Sequence, residues 1–418
     1  MKREFKNYKK GRACKALPSV MYTISMRSDI FDDPKNLTKA ALYLVFLLIP
    51  LVVFFHGTEA LYRSFSNDYS GSIAKGVDFN AYLTGAHILK SNPENLYDIQ
   101  TQRKAQKDYF GKETEGTLTF RNTPVVAFFY IPYTFLFRDL AYKVSFIFQL
   151  ILVLIFVIFL IKHFGYRKYL IPFLPLFLPV AIQAVMGQVV IIPSIAVLLS
   201  MIMLGKKKHF LSGVLLSFLL LKIQYVVIIP YFLIIVKKKK EFIYGLVAGL
   251  LALLFIDCLI YKGFYLPDYI RFLFVTEDPL MGTDMSKLLN FTSIFWNFGF
   301  GKDLILIVNL TIYLLSLVLV YLFSKRREVG VLISVAIIFS LALNFHVNAV
   351  DLIFLLIPMF YFSGKKDMMS VTAVILLFLI QFLTFLSRGW ITGLVLLFIG
   401  VFLLLQQDFQ KITSNREH

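Results

Sequence analysis

Six polar residues in an otherwise apolar chain have side chains suited to handling a phosphate or a hydroxyl proton: Asp78, Gln188, Lys222, Asn290, His346 and Arg388. A carboxylate such as Asp78 can take the proton of an acceptor hydroxyl as a general base, although Asp is also favoured as a helix N-cap. Lys222 lies between Leu219-Leu220-Leu221 and Ile223, where a charge is costly and usually functional. It reads as a counter-charge for a lipid-linked phosphate, or as a Lys that snorkels to the interface. His346, in Leu343-Asn-Phe-His-Val-Asn-Ala-Val-Asp351, could exchange protons, bind phosphate or serve a structural role at a helix end. Asp351 reads as its partner or as a helix-interior acid lining a cavity. Arg121, just before Pro124, and Arg388 offer planar forks for a phosphate or pyrophosphate, with interfacial anchoring as the other reading of Arg388. Glu94, Asp98, Asp108, Asp278 and Asp284 read as solvated loop charges. A metal role is open to them, though no ligand spacing supports one, and no cofactor is expected.

The elements that must position these residues follow from composition. The chain has 418 residues, 58% of them hydrophobic and 16% charged, with a mean hydropathy of +0.74. A soluble fold could not cover that much apolar surface. Apolar stretches of roughly 20 residues, long enough for a bilayer core, recur from residue 38 to residue 406. The pattern predicts an all-α polytopic membrane protein with about 12 transmembrane helices. The net charge of +18 comes from basic clusters at 2–15, 206–208, 237–240, 325–327 and 365–366. Lying between apolar spans, these clusters read as cytoplasmic topology signals that also meet anionic lipid, and not as a nucleic-acid surface. Cys14 and Cys258 are the only cysteines and offer neither a disulfide nor a CxxC site.

Counting crossings from these clusters gives a basic cytoplasmic tail at 1–38, a transmembrane domain at 39–405 and a cytoplasmic tail at 406–418. Extracytoplasmic loops fall at 62–123 and 262–301. The candidate residues then gather on the extracytoplasmic side of a cell membrane. Residues 78–90 have apolar positions at helical spacing and read as an amphipathic helix on the membrane surface. Residues 124–137 are too short to cross and read as a re-entrant or interfacial piece. Residues 169–185 and 189–204 read as an outward and a returning span. Residues 210–236 are bounded by basic clusters yet too few for two full helices, so they read as a hairpin turning near Lys222-Ile-Gln224. Gly245-x-x-x-Gly249 offers a close helix contact, and Asn290-Phe-Thr292 is formally a glycosylation sequon.

With Asp78-Phe79-x-x-Tyr82, Leu96-Tyr97-Asp98, the apolar run from Pro124 to Pro132, Gly187-Gln188, the stretch from Gly213 to Lys222, Asn290-Phe-Thr-Ser293 and His346, the chain resembles the polyprenol-phosphate-sugar-dependent glycosyltransferases of the GT-C class, in particular glycosyltransferase family 87. The resemblance implies a GT-C-like membrane bundle that moves a sugar, a mannose-like hexose or a pentose, from a polyprenyl-phosphate donor to a hydroxyl of a lipid-linked or cell-envelope glycan. It implies Asp78 as the base and inversion at the anomeric carbon, with His346 assisting and Arg121, Gln188, Lys222, Asn290 and Arg388 holding substrate. A transporter or flippase for a lipid-linked glycan intermediate is the alternative, motivated by the broken hairpin at Lys222. The long 62–123 loop and the lack of an internal repeat favour the enzyme.

Overall fold

The computed structural model describes residues 76–110, 118–165, 170–276, 288–365, 367–383 and 389–414. The first expected span at 40–57, Cys14, Asp278, Asp284 and Arg388 lie outside these residues. All regular structure among the described residues is helical.

Helix α1, Val77–Ser91, starts from Gly76, whose φ of 62° and ψ of 32° are left-handed. Asp78 therefore sits in the first turn, and Gly76 takes the N-cap position that the sequence allowed for Asp78. Nor is α1 an interfacial helix with one wet face. Phe79, Leu83 and Ala86 are fully buried, and Asn80, Tyr82 and Thr84 are buried with them. Two of its buried polar side chains have partners: Thr84 Oγ1 donates to Asn80 O and Tyr82 Oη to Gln188 Oε1, both at 2.8 Å. Helix α2, Ile99–Phe110, begins at Asp98, whose Oδ2 accepts from the N–H and the hydroxyl of Thr101, both at 2.7 Å. One turn apart on α2, Gln102 and Gln106 use their carboxamides as a substitute strand for residues 118–120. Phe120 N–H donates to Gln102 Oε1 at 2.8 Å and Leu118 N–H to Gln106 Oε1 at 3.2 Å, while Gln102 Nε2 donates to Leu96 O at 2.7 Å. This pairing presses Phe120 against Gly85 of α1, where a Cβ would come within 2.7 Å of the ring.

Helix α3, Pro124–Tyr130, runs into a 3-10 turn at Ile131–Phe135. At 1.5 Å per residue it is far too short to cross a bilayer core of about 30 Å. Helix α4, Arg138–Phe164, follows. Residues 170–186 do not form the continuous span expected from hydropathy. Pro172, Pro175 and Pro179 break them into a 3-10 turn, Ile171–Leu176, and the short helix α5, Leu178–Met186, because proline lacks the donor that a helix interior needs. Helix α6, Ile191–Gly205, comes next.

Residues 209–235 consist of α7, His209–Ser217, a 3-10 stretch at Phe218–Ile228, and α8, Ile229–Ile235. By length and composition the whole segment could be one span, but its contacts with α9, Lys239–Tyr261, require a return. Phe210 backbone lies against Gly245, and Ser217 lies against Gly249. Helix α7 and the first half of α9 thus run side by side in the same direction, and the chain between them has to go up and come back. The turn is at Lys222, where φ is −138° and ψ is 91°. On the way down Tyr313 donates to Val227 O at 2.9 Å, and Phe232 stacks on Phe242 near the start of α9.

The rest comprises α10, Leu266–Thr276; α11, Ser293–Asn297; α12, Lys302–Phe323; α13, Val329–Leu343; a 3-10 turn at Ala349–Leu355 continued by α14, Leu356–Phe362; α15, Met368–Leu383; and α16, Gly389–Ser414. Among the described residues, four helical segments are long and apolar enough to cross a membrane and six apolar helices are shorter. The protein is a helical membrane protein in which proline and 3-10 breaks shorten many of the expected spans.

Two apolar cores form among the described residues. One packs α1, α3 and the ends of α4 and α9 with α10, and the other packs α6, α8, α13 and the 349–362 segment. Val189 belongs to the first and Val190 to the second, while Leu221 belongs to the first and Tyr225 to the second. The seam between the cores therefore runs through Gln188 and Lys222.

Candidate active site

Helix α5 ends at Gly187, with φ 73° and ψ 30°, a left-handed conformation that costs any residue with a Cβ. A Cβ there would also lie 2.7 Å from Phe79 Cβ. This close approach sets Gln188 beside the first turn of α1, and Tyr130 of α3 fastens the junction by donating to Gly187 O at 3.0 Å. Gln188 Oε1 accepts from Tyr82 Oη at 2.8 Å and from Lys222 Nζ at 3.1 Å. With two donors on the oxygen, the amide orientation is set and its NH2 group serves the Asp78 carboxylate.

Asp78 Oδ2 is inaccessible and has no hydrogen-bond partner among the described residues. Burial raises the Asp78 pKa above the ordinary carboxylate range. The Lys222 charge and the Gln188 hydrogen bond oppose that rise, the Asp351 charge adds to it, and the His346 charge opposes it. A carboxyl in this state is suited to receive a proton.

Lys222 owes its position to the break at the hairpin tip. It is 8% exposed, with Nζ 3.3 Å from Asp351 Oδ1 and 5.4 Å from the centre of the Tyr225 ring. Asp351 is fully buried and collects donors from three further directions: the Tyr225 hydroxyl, Gln224 Nε2 at 3.4 Å and Asn348 N–H at 2.7 Å. His346 joins the same network. Its carbonyl accepts from Gln224 Nε2 at 2.8 Å, its N–H donates to Asn344 Oδ1 at 3.1 Å, and its Nε2 lies 3.2 Å from Asn348 Nδ2.

Asn290 stands behind these groups. It is fully buried, it donates to Asn344 O at 2.7 Å, and its Oδ1 accepts from Thr292 Oγ1 at 2.9 Å and Ser293 N–H at 3.0 Å. That burial rules it out as a glycan acceptor in the folded protein, so the sequon is fortuitous. Arg121 is engaged elsewhere. Its Nε donates to Thr119 Oγ1 at 2.8 Å, its guanidinium also donates to Thr276 O, and its carbonyl accepts from Tyr269 Oη at 3.1 Å, which ties the 118–123 segment to α10. Of the residues singled out from sequence, Asp78, Gln188, Lys222 and His346 come together around Asp351, Asn290 holds the Asn344 carbonyl two residues before His346, and Arg388 lies outside the described residues. Tyr225 and Asn348 join the site without a role assigned from sequence, as do Tyr82 and Gln224, which had entered only as part of the Asp78-Phe79-x-x-Tyr82 motif and of the hairpin turn. Tyr82 had a signal, because four residues after Asp78 on a helix it must share that face.

An apolar cavity of about 340 Å³ lies between α3, α4 and the start of α6. Its wall includes Tyr130, Tyr133, Phe148 and Leu152, together with Val189 and Leu221, the sequence neighbours of Gln188 and Lys222. A buried cation, a carboxylate with a spare oxygen and an adjoining apolar cavity could receive an amphiphile with a phosphate at its head.

No curated protein and no solved structure matches the chain. The sequence profile of glycosyltransferase family 87 matches residues 120–347, more than half of the chain and a stretch that includes Gln188, Lys222, Asn290 and His346. With its apolar helices and this match, the chain belongs to glycosyltransferase family 87 and is a membrane glycosyltransferase.

Proposed function

We propose that the protein transfers a hexose or pentose from a polyprenyl-phosphate donor to a hydroxyl of a lipid-linked or cell-envelope glycan, on the extracytoplasmic face of the cell membrane and with inversion. The observation that carries this reading is the unpartnered, inaccessible Oδ2 of Asp78 beside a buried Lys222 and an apolar cavity. In the proposed reaction the acceptor oxygen attacks the anomeric carbon, and its proton passes to Asp78. The bond from the anomeric carbon to the phosphate oxygen breaks, and its electron pair leaves on the polyprenyl phosphate. Lys222 meets that growing negative charge, and His346 assists near the phosphate. The isoprene units nearest the phosphate lie in the cavity walled by Tyr133, Phe148 and Leu152. The reaction as proposed calls on no cofactor.

The test is transfer by purified protein in lipid from a panel of radiolabelled polyprenyl-phosphate sugars, with the lipid-linked product read out. Asp78→Asn is expected to lower kcat by about 10²–10⁴-fold, the usual contribution of a general base, with donor binding retained. Transfer by Asp78→Asn at the wild-type rate overturns the assignment. Movement of a lipid-linked glycan across the bilayer without sugar transfer would mark a flippase instead.

A further inference from the structure

A lysine ammonium has three N–H donors. Two of those on Lys222 are committed, one to Gln188 Oε1 at 3.1 Å and one to Asp351 Oδ1 at 3.3 Å. From this geometry we infer that Asp351 is a positioning residue, which aims the remaining N–H of Lys222 and the His346 loop at the donor phosphate. The inference rests on the phosphate-donor reading above.

Several observations set Asp351 apart from an incidental ion-pair partner. It is fully buried and does not reach the surface where a substrate would arrive. Its two oxygens divide the site between them. Oδ1 takes Lys222 Nζ and the Tyr225 hydroxyl, which fixes the hairpin tip. Oδ2 takes Asn348 N–H at 2.7 Å and Gln224 Nε2 at 3.4 Å, which fixes the loop that carries His346. The same Gln224 Nε2 reaches His346 O at 2.8 Å, and Asn344 Nδ2 returns to Gln224 O at 2.7 Å. One carboxylate thus couples Lys222 to His346, the two residues assigned to the donor phosphate, although they are 124 positions apart in sequence.

Preorganisation is the physical benefit. A free lysine side chain has several rotatable bonds and would have to be ordered by each arriving donor. Here that ordering is complete before binding. Asp351 also balances the Lys222 charge in a buried setting, so the site holds an anion through a directed hydrogen bond more than through net charge.

The test is a double-mutant cycle read by donor binding, with polyprenyl monophosphate as the probe and Asp78→Asn protein as the background, so that turnover plays no part. Asp351→Asn is expected to weaken probe binding about tenfold. Once Lys222 is replaced by Met, the same change is expected to alter binding less than twofold, because Asp351 acts through Lys222. In otherwise wild-type enzyme, Asp351→Asn should raise the donor KM and leave the acceptor KM within twofold, a split that general loosening of the fold would not produce. If Asp351→Asn fails to fold, Tyr225→Phe, which removes one donor from the same oxygen, should weaken the probe in the same direction by a smaller factor. Probe binding that is equal with and without the Asp351→Asn change, or purely additive effects of the Lys222 and Asp351 changes, would overturn the positioning role alone. Protein carrying both native residues that binds no polyprenyl monophosphate would overturn the donor reading and this inference together.

Discussion

Asp257 Oδ1 accepts the backbone N–H of Val125 at 2.6 Å, so a carboxylate buried in α9 holds the first turn of α3. The first N–H groups of a helix have no partner within it, and burial removes water as a substitute. The second Asp257 oxygen accepts from Tyr265 Oη at 3.2 Å, which ties the residue just before α10 into the same joint.

Asp257→Ala leaves both donors without their acceptor. The expected loss is about 1–3 kcal/mol for each group left unsatisfied, visible as a lower thermal midpoint in detergent. Transfer should fall as well, because α3 carries Tyr130, which fastens Gly187. A midpoint unchanged from wild type would show that this joint contributes nothing to the fold.

Gly187→Ala combines a strained φ of 73° with a Cβ aimed at Phe79, the neighbour of Asp78. Turnover is expected to drop at least about tenfold, since small displacements of reacting groups have large effects on rate. Gly205→Ala is the control, because no atom lies within 4 Å of its new Cβ. Comparable kcat for the two variants would argue against the close approach of α1 and the Gly187 turn as a requirement for activity.

The acid limb of activity should lie above the ordinary carboxylate range, because burial raises the pKa of Asp78 and a base must be ionised to work. Gln188→Leu removes a hydrogen bond that lowers this pKa, so the limb of its residual activity should move to higher pH. A limb at or below the wild-type position would contradict the orientation assigned to the Gln188 amide.

The same shift has the opposite sign for stability. With its folded-state pKa raised above the unfolded value, Asp78 leaves the folded chain binding more protons than the unfolded one. Its favourable contribution is complete below the unfolded pKa and is lost as pH rises through the folded one. Asp78→Asn should therefore melt at a higher temperature than wild type at neutral pH, with the gap closing in acid. A lower midpoint for Asp78→Asn across the whole range would count against a buried carboxylate held at a cost.

Asp78, Lys222 and His346 are legible in the sequence because ionisable groups next to apolar runs are costly and draw notice. The turn at Lys222 is also readable, from basic clusters on both sides of a segment too short for two full helices. Asp257 leaves a weaker trace. It is an acid in an apolar stretch, but its main partner is a backbone N–H, which has no signature in side-chain types. Gln102 and Gln106 sit on a polar helix where glutamine is unremarkable, so their pairing with residues 118–120 emerges only in three dimensions. For α1, apolar periodicity suggests one buried face, whereas contacts from α2, α3 and Phe120 cover the polar face too. Pro172, Pro175 and Pro179 are plain in the sequence, and hydropathy overstates the continuity of that stretch because it gives proline no weight as a helix breaker.

The contact between α7 and α9 has a consequence for how the hairpin carries its lysine. Gly213 and Gly245 leave backbone almost touching backbone along that seam, and Gly249 leaves room only for the small Ser217 side chain. The height of the Lys222 tip relative to the rest of the bundle is thus set by a rigid stop. A single added methyl group at Gly213 or Gly245 would act as a shim, lifting or tilting the tip by a fraction of an ångström and detuning a site more than a turn of helix away.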